Sequence, residues 1–173
     1  AEEMELLLKQ APAIYEDTKK KNQVLEKYMN SCVHEVSGKK VKISCEEAAK
    51  ALEGMADWVQ EHIRKTEWVS DEGENSWFNS YYDNHGRQAE GVFENGIRMM
   101  LTGQVFSIMS GTATEEQTAE IAKAADEYLY KKEAGGYRLN TDFGEVKTDL
   151  GRMFGFAYGQ KENGAVFSHM TVM

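Results

Sequence analysis

Proline and cysteine are almost absent from this 173-residue chain, which has one Pro and two Cys. Two cysteines cannot staple a small fold, and Cys32 and Cys45, 13 positions apart, lack the spacing of a zinc knuckle. Both fall on apolar helix faces in this reading, so they are expected as small buried thiols in a reducing, cytoplasmic compartment. A basic block is missing too. Lys and Arg number 20 against 29 Asp and Glu, a formal net charge of −9. A chain so acidic makes a poor phosphate-backbone binder, which argues against nucleic acid as a partner. No run approaches the ~18–20 apolar residues needed to cross a bilayer, so no membrane partner is expected. No basic n-region leads an apolar h-region, so no signal peptide is expected.

What is present is the mixture of an ordinary folded domain: 41% hydrophobic and 28% charged residues. Residues 1–12, ending at Pro12, read as a linker. Ala13 to His34 reads as a helix, with Ile14, Thr18, Leu25, Tyr28 and Cys32 on one face. Lys19, Lys20 and Lys21 read as a solvated patch on it. After a Gly38-Lys39-Lys40 loop and a brief extended piece at Val41–Ile43, Ser44 and Glu47 form a capping box. Cys45, Ala49, Leu52, Ala56, Val59 and Ile63 then recur at steps of four and three, one apolar stripe on a long helix.

The middle of the chain is aromatic. Trp68-Val69 and Trp77 to Tyr82 favour strands, and Asp83-Asn84-His85-Gly86 is a turn signal. The expectation is a β-hairpin over 77–92. The acidic loop before it (Asp71, Glu72, Glu74, Asn75) lacks the alternating spacing and closing Glu of an EF-hand, so no metal is assigned. Gln104 to Ser110 reads as a short buried helix stopped by Gly111. Thr114 and Gln117 make a second capping box, opening a helix to about Lys132 with Thr118, Ile121, Ala125 and Tyr128 inward and Gly135-Gly136 as its stop. The stretch from Tyr137 onward is glycine-spaced and irregular. Ala165 to Met173 begins an apolar element without a stop signal, which points to a piece of a larger protein.

No complete catalytic constellation is visible: no G-x-S-x-G, H-E-x-x-H, Walker loop or C-x-x-C. The four histidines, His34, His62, His85 and His169, are dispersed. His169 stands apart, because it follows the Lys161-Glu162 pair at the start of an apolar element. From spacing alone it is either a buried histidine bonded to a backbone carbonyl or part of an anion and sugar site. Lys, Glu and His together offer the donors and acceptors that sugar hydroxyls need. Tyr137, Phe154, Phe156 and Tyr158 are candidates to stack on pyranose faces, and Arg138 and Arg152 to add positive charge.

The run Lys161-Glu162-Asn163-Gly164-Ala165-Val166-Phe167-Ser168-His169 resembles the KENG-x-x-F-x-H motif of glycoside hydrolase family 94, the inverting disaccharide and oligosaccharide phosphorylases. Trp77 to Gly91 resembles that family's hairpin, and Gly103 to Thr114 its helix and following cap. The segment Gly135 to Gly159 is most similar to the 1,2-β-oligoglucan phosphorylase branch. The resemblance implies a mainly α fold with a β-hairpin and irregular loops, a single partial domain that is a fragment of an (α/α)6 barrel. It implies a β-glucan oligosaccharide or disaccharide as substrate, inorganic phosphate as co-substrate and no cofactor. His169 falls on the family's phosphate-binding histidine, and Lys161 and Glu162 on sugar-contacting positions. The family's general acid is an Asp in a segment with no match here. Asp57-Trp58 sits mid-helix without that context, so no residue of this chain is assigned as catalytic. A partial barrel would expose stripes meant for absent helices, so self-association is expected. Two alternatives stay open: a free-standing helical module that binds carbohydrate or protein, and a similar barrel that uses water in place of phosphate.

Overall fold

A computed structural model describes residues 16–35, 38 and 40–173 of the chain. The expected linker, and the expected helical residues 13–15, lie outside that range. The described residues fall into two compact units that meet between Glu61 and His62.

The first unit holds α1 (Thr18–Ser31) and most of α2 (Cys45–Thr66). Asp17 caps α1 by accepting the Lys20 amide at 3.0 Å, and Ser44 Oγ accepts the Glu47 amide at 3.2 Å at the start of α2. α2 forms where the periodicity places it, whereas α1 starts only at Thr18 and stops at Ser31, short of the expected His34; neither helix contains a fully buried residue. Leu25 and Leu52 are more than half exposed. Both cysteines are exposed as well, which corrects the expectation of buried thiols. A stripe fixes which face of a helix is apolar, but covering that face needs a partner that the stripe does not encode.

The second unit contains the packed core. Three two-stranded antiparallel pairs occur: β1 (Trp68–Ser70) with β2 (Ser76–Phe78), β3 (Gly91–Phe93) with β4 (Gly96–Arg98), and β5 (Tyr130–Lys131) with β6 (Gly136–Tyr137). The expected 77–92 hairpin is therefore corrected. Trp77 pairs with Val69, not with the chain after the turn. The Asp83–Gly86 turn is real, closed by one bridge between Tyr82 and Gln88. Asp83 holds it together, accepting the amides of His85 and Arg87 and the Arg87 guanidinium. The Arg87 amide, with help from its side chain, holds the Asp83 carboxyl down near 2.

Two helices close the core, α3 (Leu101–Met109) and α4 (Glu115–Tyr128). Both halves of the Thr114–Gln117 capping box form. α4 ends at Tyr128, short of the expected Lys132, because the chain turns into β5 and Gly135-Gly136 serve the following hairpin. Trp77, Met99, Leu101, Val105, Ala124, Ala125 and Leu129 pack together, with Tyr137 and Met170 against them. Ala89, Phe143 and Leu150 form a smaller cluster. Beyond Tyr137 regular structure is sparse: 3-10 turns at Thr148–Leu150 and Arg152–Gly155, then the one-turn α5 (Ser168–Thr171). The described part is thus mainly helical, with small strand pairs between the helices.

Candidate functional site

Three candidate residues come from one stretch of chain, and two of them share a turn. Gly159 N donates to Asn163 O at 2.7 Å, and Asn163 N donates to Gln160 O at 3.0 Å, folding 159–163 back on itself. Lys161 sits at its tip in the left-handed region (φ 48°), a strained conformation for a residue with a side chain. The Lys161 side chain reaches solvent, its Nζ 4.9 Å from the Phe156 ring centroid. Glu162 is half-buried and accepts from Arg152 Nη2 at 2.6 Å.

The inner side of the turn is polar and dry. Asn163 is buried, donating Nδ2 to Phe156 O at 2.8 Å. Arg138 Nη1 donates to Gly164 O at 2.6 Å while its guanidinium lies over the Tyr158 ring. Gly164 has φ 74°, and a Cβ there would meet the Tyr158 ring at 2.3 Å, so only glycine fits. Burial raises the Tyr158 phenol above its ordinary range, against the pull of the nearby Arg138 charge.

His169 lies on α5, where adjacent side chains point in different directions. Met170 packs against the main core, while His169 is exposed, its ring 5.6 Å from that of Phe167. The buried-histidine alternative is thereby excluded. No hydrogen bond, ion pair or ring contact joins His169 to Lys161 or Glu162, so the structure brings the pair together and leaves the histidine on the neighbouring element.

The other candidates are mostly engaged. Arg138 and Arg152 are not free cations, since each is bonded within this region. The Phe154 ring packs on Phe143, and the Tyr137 ring packs on Tyr130 and against the main core, with its hydroxyl donating to Asp126 at 2.5 Å. The Phe156 ring has two cations near it, the Arg152 guanidinium 5.7 Å and Lys161 Nζ 4.9 Å from its centroid. Asn163 belongs to the motif run, but its pairing with Asn140 has no sequence signal. The two lie 23 positions apart, and nothing in composition or period couples them.

Two clefts lie elsewhere in the unit. One, of about 430 Å³, is lined by Glu67, Phe78, Tyr82, Phe106 and neighbours; the other, of about 670 Å³, by Glu74, Lys123, Asp126, Glu127 and neighbours. Neither includes Lys161, Glu162 or His169. Among the described residues, no group of three or more His, Cys, Asp or Glu is placed to hold a metal ion.

Comparison with known proteins bears on this arrangement. The family described as "Glycosyl hydrolase 94 superfamily, catalytic domain" matches residues 17–172. Solabiose phosphorylase of Paenibacillus borealis is 27% identical over 121 residues, covering 70% of this chain and 15% of that protein. N,N'-diacetylchitobiose phosphorylase of Vibrio proteolyticus is 30% identical over 116 residues, covering 66% of this chain and 14% of that protein. The chain therefore spans about one seventh of the length of these relatives.

Proposed function

We propose, on the premise that this chain belongs to the glycosyl hydrolase 94 superfamily, that it supplies sugar- and phosphate-contacting residues to an inverting phosphorylase. In this reading the segment is part of an (α/α)6 barrel that cleaves a β-glucosidic bond with phosphate. A phosphate oxygen attacks the anomeric carbon from the face opposite the leaving oxygen, giving α-glucose 1-phosphate. Phosphate is already an anionic nucleophile, so the general base of an inverting hydrolase is unnecessary. One carboxylic acid must still protonate the leaving oxygen, and that acid comes from residues other than those described here. Lys161 and Glu162 hold the sugar, and His169 donates to phosphate. The substrate class is a β-glucan oligosaccharide or disaccharide, with a 1,2-linked glucan as first choice. A cytoplasmic setting suits two free, exposed thiols.

The observation that carries this reading is the Lys161–Glu162 turn itself. It is strained at its tip, anchored by buried polar groups beneath, and open to solvent above. Such preorganisation matters when a substrate must be held in line for attack. The test is product analysis. The full-length gene product, given β-1,2-glucooligosaccharides and phosphate, is expected to form glucose 1-phosphate, and the 173-residue polypeptide alone to form none. Release of free glucose with no need for phosphate overturns the proposal in favour of a hydrolase.

A further inference from the structure

We infer that Asn140 is the positioning residue of this site. It sets where Lys161 and Glu162 stand without touching the substrate itself. The inference rests on the proposed sugar-contacting role of those two residues.

Asn140 is fully buried, at 1% exposure. Its side chain makes three hydrogen bonds and its carbonyl a fourth. Oδ1 accepts the Gly164 amide at 2.7 Å; Nδ2 donates to Asn163 Oδ1 at 3.1 Å and to Thr141 O at 2.9 Å. The Asn140 carbonyl accepts the Tyr158 hydroxyl at 3.2 Å. Tyr158 precedes the turn and Gly164 follows it. One residue therefore grips both flanks of the loop whose tip carries Lys161.

That grip is itself tied to the core. Leu101 N donates to Leu139 O at 2.8 Å, and Thr141 N donates to Met99 O at 3.0 Å. Met99 and Leu101 are buried members of the main core cluster. On the other side Leu139 N donates to Ala165 O at 2.9 Å. Core packing thus fixes the backbone of 139–141, and the Asn140 amide carries that placement to the turn.

The chemistry calls for an amide. Gly164 presents an N–H and needs an acceptor; Asn163 Oδ1 and Thr141 O are acceptors and need a donor. Aspartate has the same shape but no donor, and would set a carboxylate against two oxygens in a dry site. The tip cannot hold itself, because Lys161 occupies a left-handed conformation that surrounding contacts must enforce.

The test compares steady-state constants in the full-length gene product, corrected for the folded fraction. N140D is expected to lower kcat/KM for the sugar about 100-fold, the scale of a small displacement of positioning groups. The KM for phosphate is expected to stay within about two-fold, because His169 is on a different element. A merely structural residue only scales the active fraction, so after that correction kcat and both KM values stay unchanged, and that result overturns the inference. Y158F keeps the ring and removes one bond to Asn140; it is expected to lower sugar kcat/KM about three-fold in a folded protein. No change there, with N140D unfolded, also overturns the inference. K161A and E162A serve as separate controls. If they leave sugar kinetics untouched, the sugar-site reading fails and this inference with it. If they impair sugar kinetics and N140D does not, this inference alone fails.

Discussion

Arg152 Nη2 donates to Glu162 Oε1 at 2.6 Å, linking the acidic member of the candidate sugar pair to a residue ten positions earlier. The Arg152 side chain is 76% exposed and Glu162 39%. An ion pair so open contributes little to stability, about 0–1 kcal/mol. Its effect is to aim one carboxylate. R152M is therefore expected to leave thermal stability almost unchanged while raising the KM for sugar. The check is a melting curve beside sugar and phosphate titrations of the full-length gene product. A large drop in Tm with unchanged KM contradicts this assignment.

Gly103 makes a second prediction, about packing. It lies inside α3, where alanine ordinarily gains about 1 kcal/mol over glycine. Here a Cβ would stand 2.0 Å from Ser80 Cβ. Ser80 cannot easily yield, since both its amide and its hydroxyl are bonded to Glu90. Overpacking costs about 1–3 kcal/mol, so it outweighs the helix gain. G103A is expected to lower Tm, and an unchanged or higher Tm contradicts the packing account.

Glu90 predicts a pH dependence. It is buried, and receives the Ser80 and Met100 amides and the Gln104 side chain. Burial pushes its carboxyl up to about 7, despite the Ser80 hydroxyl and the Met100 and Ser80 amides, which pull it down. A carboxyl raised on folding binds its proton more tightly in the native state. Its stabilising contribution is thus fully present below the unfolded-state value near 4.5 and is lost as pH rises through about 7. The stability of the wild type minus that of E90Q is expected to fall across this window in chemical denaturation. A flat difference contradicts the shift.

These cases show where the sequence was readable. The Thr114–Gln117 box and the Asp83–Gly86 turn were legible because their partners lie within a few residues. The exposure of Cys32 and Cys45 is not legible in the sequence, because a helical stripe does not say whether anything covers it. The pairing of Trp77 with Val69 is not legible either, because an aromatic run reports strand tendency and not partner identity. Lys161, Glu162 and His169 stood out through their resemblance to a family motif. The buried amide network under the Lys161–Glu162 turn has no local signature, since Asn140 and Asn163 meet only after the chain has folded.

The most direct test of the account is the phosphate dependence of the full-length gene product carrying H169A. In the proposed function the imidazole of His169, exposed on α5, contacts the anion and not the sugar. Losing a hydrogen bond to a charged group should raise the KM for phosphate about ten- to hundred-fold, with the KM for sugar nearly constant. Equal changes in both constants, or a change in neither, contradict the assignment.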